Sequence, residues 1–285
     1  MSLRDAHDWF ADLGGGTRVA LVVAGSFRSD AGVLLGHVPW TRWHPLVEDE
    51  IDEQNRLRQA LNCLLVETPA GRVLVETGIG QRLDEKTSRM RGLEGRPILE
   101  AMRVAAFDPL TVDLVALSHL HFDHAGGLLD GDGARAFARA RIVAQRAEWE
   151  IALDDNPRVV ASYDQAELRL VRHFAEADAV DGERELIPGV TVIATGGHTA
   201  GHQAIVIRGR LGTVGFFGDL CMRPWSAEPT WLPSFDDFPL RSTEVKRELF
   251  SRAADERWRI ALSHEPVRPI GRLEREGVGF RYVAD

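Results

Sequence analysis

The segment Ser118-His119-Leu120-His121-Phe122-Asp123-His124-Ala125-Gly126-Gly127 constrains this chain more than any other. It places three imidazoles and a carboxylate within six residues. His119 and His121 are two apart, so in an extended chain their rings lie on the same side. Both can therefore grip one metal ion. Asp123 and His124 follow where a strand gives way to a predicted helix, with Asp123 near that helix's positive end. They project in another direction and can serve a second ion beside the first. Burying such a set without a cation would cost on the order of several kcal/mol. Leaving it solvated gives no reason for the strand before it or the glycines after it. His7, His37, His44 and His173 have no comparable pattern and read as surface or hydrogen-bonded residues.

Further candidates lie just past apolar strands. Val112–Leu117 leads through Ser118 to His119, and Thr191–Thr195 leads through Gly196-Gly197 to His198. Thr213–Phe217 leads through Gly218 to Asp219, and Arg259–Leu262 leads through Ser263 to His264. Strand ends of this kind can converge on one edge, where open α/β folds place their sites. Other strands are expected at Val19–Ala24 and Ile142–Ala144. Hairpins are expected for Leu61–Glu67 with Arg72–Glu76, and for Gln203–Arg208 with Thr213–Phe217. A helix is expected after Pro97, with Ile98, Met102 and Ala105 on one face. Another is expected from Thr243 to Asp255, capped by Ser242. This mixture predicts an α/β chain with sheets inside and helices outside. No linker divides it, so residues 1–285 read as one domain. Residues 26–59 form an irregular excursion within it, a lid, an interface or plain surface packing.

Composition excludes several function classes. The formal charge is −9 and the pI about 5.6, which disfavours a nucleic-acid partner. No apolar run reaches the roughly 20 residues that span a bilayer, so no membrane role is expected. The start, Met1 to Asp8, lacks the apolar core of a secretory signal, and a reducing cytoplasm is the expected location. Cys63 and Cys221 make no disulfide framework, and Cys221 is expected to be a packed, reduced thiol. There is no G-x-S-x-G elbow to suggest a serine nucleophile.

His119-Leu120-His121-Phe122-Asp123-His124 resembles the signature of the metallo-β-lactamase superfamily. The resemblance extends to Val75-Glu76-Thr77-Gly78, Gly197-His198-Thr199-Ala200-Gly201-His202, Gly218-Asp219 and Ser263-His264. The stretches Gly36–Trp40, Asp52–Arg56 and Ala60–Val66 are similar to the branch that holds quorum-quenching lactonases. Methyl-parathion-type organophosphate hydrolases share the same pattern. The resemblance implies a four-layer αββα sandwich. It also implies that His119, His121 and His198 hold a first metal, that Asp123, His124 and His264 hold a second, and that Asp219 bridges them. His202 and Glu76 would orient the ligands without touching the ions.

The cofactor expectation is two divalent transition-metal ions. Zinc comes first, with manganese, iron or cobalt compatible with the same nitrogen and oxygen donors. Hydrolysis by a metal-bridging hydroxide follows, with Asp123 and Asp219 as the catalytic carboxylates. The expected substrate is a small neutral ester. An acyl-homoserine-lactone type lactone ranks first and an organophosphate triester or aryl ester second. A redox di-iron protein is the reading from another class, but such relatives tend to carry glutamate where His121 stands. A non-catalytic metal-binding protein is a further one, which the full set of seven ligands argues against. A homodimer through residues 26–59 is an open expectation.

Two departures from the lactonase pattern bear on substrate. Met222 stands where those enzymes carry a tyrosine three residues after the bridging aspartate, and methionine cannot donate to an oxyanion. Glu76 replaces the usual aspartate. The ring-rich stretch with Trp225, Trp231 and Phe235, together with Trp40, either walls an apolar pocket near the metals or packs loops onto the sandwich. Arg223 either meets a substrate carboxylate or is exposed.

Overall fold

The computed structural model describes residues 9–175 and 178–285; His7 and the rest of the amino-terminal segment lie outside the described residues. Two sheets face each other. The first contains β1 (Phe10–Gly14), β2 (Thr17–Asp30), β3 (Arg56–Thr68), β4 (Gly71–Val75), β5 (Leu114–Ala116) and β6 (Arg141–Val143), in that order. The second contains β7 (Arg184–Ile187), β8 (Val190–Ala194), β9 (Gln203–Arg208), β10 (Thr213–Phe216), β11 (Arg259–Ala261), β12 (Ile270–Glu276) and β13 (Gly279–Ala284), in reverse order across the sheet. The described helices are α1 (Ala31–Leu35), α2 (Trp40–Val47), α3 (Glu85–Met90), α4 (Ile98–Val104), α5 (Phe122–Ala125), α6 (Arg146–Ile151), α7 (Pro157–Val160), α8 (Gln165–Ala175) and α9 (Pro239–Asp255).

The period-two alternation of the strands builds the layers. In β3, Leu64 and Val66 point between the sheets and meet Ile205 and Ile207 of β9. Their neighbours Leu61, Cys63 and Leu65 point outward, onto Met102 of α4, Trp149 of α6 and Val171 of α8. On the far side Ala204 and Val206 of β9 meet Val245, Leu249 and Phe250 of α9. Helices thus cover the outer faces of both sheets, giving the expected αββα order.

The expected strands and hairpins form, the first hairpin closing with Thr68 opposite Gly71. Three details differ from the sequence reading. The excursion is shorter and more regular than residues 26–59, because β2 runs on to Asp30 and β3 resumes at Arg56. A bulge between Val23 and Ser26, with Gly25 at φ 89, hides that continuity in the sequence. Between the two strands lie α1 and α2, the latter with Trp40 and Leu46 exposed. Helix α9 starts one turn early, at Pro239, which suits a first helical position. Ser242 is therefore buried inside the helix rather than capping it. It packs where a Cβ on Gly197, at φ 90, would meet its backbone nitrogen at 2.8 Å.

Candidate metal centre

Four strand ends bring the ligand candidates to one edge. His119 follows β5, His198 follows β8, Asp219 follows β10 and His264 follows β11. Strands β8 to β11 are contiguous in the second sheet, so the loops after β8, β10 and β11 project together. Helix α5 adds Asp123 and His124, with His121 at its N-cap. All seven side chains are buried.

Their atoms converge in three overlapping groups. These are His119, His121 and His198; His119, His124 and Asp219; and Asp123, His124 and His264. Within each group the ligand atoms lie within 4.8 Å of one another. His119 Nε2 is 2.8 Å from His121 Nδ1, and His198 Nε2 is 3.2 Å from the same atom. Asp219 sits between the halves. Its Oδ1 is 3.1 Å from both His124 Nε2 and His264 Nε2, and its Oδ2 is 3.5 Å from His198 Nε2. Asp123 Oδ2 lies 3.6 Å from His264 Nε2 and 3.7 Å from His124 Nε2.

The outer ring atoms are held by other groups, which aims the inner ones. His198 Nδ1 is 2.7 Å from Asp236 Oδ1, His119 Nδ1 is 2.9 Å from Ser118 Oγ, and His264 Nδ1 donates to the Ala60 carbonyl at 2.8 Å. His124 Nδ1 is 3.1 Å from Glu76 Oε2, whose Oε1 accepts the Ser118 N–H at 2.7 Å. Glu76 adopts this position at φ 64, a left-handed conformation costly for a glutamate. Carboxylates and carbonyls behind ligating histidines are the usual means of fixing ring orientation.

Electrostatics varies across the centre. Burial opposes charge on His198, but Asp236 and Asp219 outweigh it and raise the pKa of that ring. Burial and neighbouring imidazoles hold His119 and His121 well below the ordinary histidine range. Burial also opposes charge on His124, but Asp219, Asp123 and Glu76 outweigh it and raise His124 well above that range. Burial pushes Asp219 up, yet His124 and His264 more than offset it and leave the carboxyl well below its ordinary value.

The donors fit a pair of divalent cations. His124 Nε2 is buried and has no hydrogen-bond partner, since its contact with Asp219 misses hydrogen-bond geometry. Nitrogen lone pairs facing each other at these distances are satisfied by a cation between them, and five imidazoles with two carboxylates suit a transition ion.

Two carboxylates that the sequence reading missed brace this arrangement. Glu148 of α6 is fully buried, and burial raises its pKa. It accepts from the Leu120 N–H at 3.0 Å and the Tyr163 hydroxyl at 2.9 Å. It also accepts from the Thr199 hydroxyl at 2.6 Å and the Gly201 N–H at 3.2 Å. It thereby ties the loop of His119 and His121 to the loop of His198. Asp236 is the second. A lone acid in a helix turn or a loop carries no spacing signal, so neither stands out in the sequence.

His202 is buried 5.3 Å from the His119 ring and belongs to none of the three groups. Its Nδ1 is 2.7 Å from Thr195 Oγ1. Cys221 is a buried thiol, its pKa pushed up by burial to about 12.

A cavity of about 220 Å³ opens beside the centre, lined by His121, Asp123, Asp219 and His264. Met222 and Phe235 line it, as the sequence suggested. The other proposed wall residues do not. Trp225, Trp231 and Arg223 line a separate cavity of about 450 Å³. Arg223 is neither exposed nor at the substrate cavity. It is buried, with Nε 3.2 Å from Glu265, a second ion pair to Glu50 and a bond from Nη1 to the Arg58 carbonyl at 2.9 Å. Trp40 is 59% exposed and stacks on His44. The walls that sequence reasoning missed include Phe27, Phe122, Gln59 and Arg91. Tyr163 is near His121, but its hydroxyl is committed to Glu148, so it does not replace the tyrosine absent at Met222.

Residues 58–264 match the family model described as Metallo-beta-lactamase superfamily. An N-acyl homoserine lactonase from a Bacillus species is 31% identical over 157 residues, 51% of this chain and 57% of that protein. The matched stretch therefore spans little more than half the length of that relative. A solved probable metal-dependent hydrolase from Staphylococcus aureus superposes with a TM-score of 0.85 at 23% identity, covering 96% of this chain and 99% of the other. The dizinc quorum-quenching lactonase AidC superposes at 0.81 with 20% identity, covering 97% of each. At these identities the two structures speak to the fold. Among the described residues no helix is long and apolar enough to cross a membrane.

Proposed function

The chain belongs to the metallo-beta-lactamase superfamily, and from that premise we propose that it is a dinuclear-metal hydrolase that opens a small neutral ester, an N-acyl-homoserine-lactone type lactone first. The observation that carries this reading is the convergence of seven buried donors beside a cavity walled by both apolar and polar side chains. His119, His121 and His198 would hold one ion, Asp123, His124 and His264 the other, and Asp219 both. Bound there, such ions supply Lewis acidity toward a carbonyl oxygen and lower the pKa of water toward about 7.

The chain's own residues supply orientation and exclusion of water. Asp236, Ser118, Glu76 and the Ala60 carbonyl hold the rings of His198, His119, His124 and His264 with their other nitrogen turned inward. Phe27, Phe235 and Met222 wall the approach and limit water around the reacting ester. Asp123 lines the cavity, and its carboxylate would carry a proton to the leaving oxygen. The lactonase relative supports the lactone. The aromatic walls favour an aryl-bearing phosphotriester as the second substrate, since one metal centre can serve either electrophile. A homodimer through the segment between β2 and β3 belongs to the proposal and is checked by light scattering.

The test is metal content per chain combined with two assays, acyl-homoserine-lactone opening followed by pH indicator and paraoxon hydrolysis followed by colour. About two transition ions per chain with lactone opening is the expected result. Full metal loading with inactivity on both substrates would reject the substrate reading.

A further inference from the structure

The cavity beside the metal centre contains an acceptor and a donor that the protein itself does not use. Gln59 of β3 is fully buried and lines the cavity. Its Nε2 donates to the Arg58 carbonyl at 3.1 Å. A carbonyl can only accept, so the amide orientation is fixed and Oε1 is the free end. That oxygen is buried and has no hydrogen-bond partner. Arg91, at the end of α3, is the complementary group. Its guanidinium lies 3.5 Å over the Phe122 ring, its Nε is buried without a hydrogen-bond partner, and it makes no ion pair among the described residues.

The two groups occupy ordered places along one wall. Phe27 stands opposite Gln59 in the β2–β3 ladder. Its ring is 5.8 Å from His264 on one side and 5.7 Å from Phe122 on the other. The wall thus runs from His264 through Phe27 to Phe122 and Arg91. Gln59 is at the metal end, since the carbonyl of the next residue, Ala60, holds His264.

A secondary amide has the matching pair, an N–H donor and a carbonyl acceptor. In a lactone bearing an acylamino group beside its carbonyl, that N–H is two bonds from the reacting carbon and the acyl carbonyl lies farther out. We propose that Gln59 Oε1 accepts the amide N–H of such a substrate and that Arg91 donates to its acyl carbonyl, so that this pair selects N-acylamino lactones over plain lactones and phosphotriesters. This inference rests on the lactone-opening reading above. A site built to bond a polar group discriminates against analogues lacking it, because its own buried group is then left unpaired.

The experiment separates recognition from turnover. Metal-loaded protein is titrated calorimetrically with α-(hexanoylamino)cyclopentanone, in which the ring oxygen is replaced by carbon, and with α-heptylcyclopentanone, which lacks the amide. The ratio of the two Kd values is the readout. Gln59→Leu is expected to reduce the preference for the acylamino ketone by about five- to tenfold. Gln59→Met, which keeps the unbranched shape, should do the same. Arg91→Met should reduce it by about tenfold or more, because its bond is charge-assisted. Thermal unfolding identifies any variant that does not fold. A ratio unchanged within about twofold in the folded Gln59 variants overturns the assignment of Gln59, and the same result for Arg91→Met overturns that of Arg91. Failure of the parent protein to bind either ketone overturns both. Tight binding with no lactone opening would instead reject the function while leaving the recognition pair standing.

Discussion

The two halves of the centre are built differently. In the three-histidine half His119 and His121 are held neutral, whereas Asp236 and Asp219 raise the pKa of His198. His119 and His198 are fully enclosed, only His121 reaches the cavity, and Glu148 clamps the two loops that carry them. The other half is held by charge. Asp123 and His264 line the cavity, and Glu76 and Asp219 flank His124. The difference teaches that an ion in the first half would depend mainly on preorganised geometry, whereas one in the second would depend more on carboxylates that also attract protons. Asp219 lies between the two halves and on the proposed reading would be the ligand common to both.

Removing that common ligand should have the largest effect. Asp219→Ala is expected to lower metal content at both positions and abolish turnover, a loss of roughly a thousandfold or more in kcat, as for a central electrostatic group. Metal analysis and steady-state kinetics check it. Retained activity would reject the bridging role and leave two independent sites.

Breaking the clamp should act on one half. Glu148→Ala strips the acceptor from two backbone N–H groups and two hydroxyls. Each buried donor left unpaired costs about 1–3 kcal/mol, so a clear fall in Tm is expected. Glu148→Gln keeps the shape but turns an NH2 toward donors. Its metal affinity should drop by roughly 10- to 100-fold, as for other groups behind ligands, and the loss should fall on the three-histidine side. Equal loss on both sides in a spectroscopic cobalt titration would show that the halves are one mechanical unit.

Acidification should act on the other half. A metal displaces the proton from its ligand. His124 is raised well above its ordinary 6.5 and His198 is raised less far, whereas His119 and His121 are lowered well below it. As pH falls, protons therefore compete first at the Asp123, His124 and His264 position. In chelator-treated protein the sign for stability is separate. A histidine raised on folding stabilises fully below its unfolded value, and that contribution disappears as pH rises through the raised value. Metal-free protein should thus lose His124's contribution above neutrality while metal-loaded protein gains occupancy. Simultaneous release of both ions on acidification would contradict the electrostatic contrast.

The contrast also explains what the sequence disclosed. All seven converging residues were legible, because few residue types bind transition ions and each stood beside a strand or helix start. The layered fold was legible where strands alternate, as in β3 and β9. Strands β1, β7 and β13 at the sheet edges and β12 next to one of them were not, since polar or charged residues interrupt their apolar pattern. Glu148 and Asp236 were hidden because their partners are distant in the chain. Arg223 was misread because its partners Glu50 and Glu265 come from elements 173 and 42 residues away. That buried ion network turns Trp225 and Trp231 to another cavity, so the sequence placed the wall partly on the wrong residues.

The smallest effect is expected at His202, which touches neither half as a ligand. Thr195 Oγ1 donates to the His202 carbonyl at 2.9 Å, so it accepts from His202 Nδ1–H at 2.7 Å. The proton is thereby placed on Nδ1, and Nε2 is a bare, buried lone pair. It abuts Gly218, where a Cβ would lie 2.7 Å from Nε2, and Gly218 precedes Asp219 in the chain. The ring therefore acts as a spacer behind Asp219. His202→Ala should keep nearly all of its metal and lose only a few-fold in kcat/KM, within the lower range for groups behind ligands. Loss of one full equivalent of metal would make His202 a ligand and move the three-histidine half to a different set of donors.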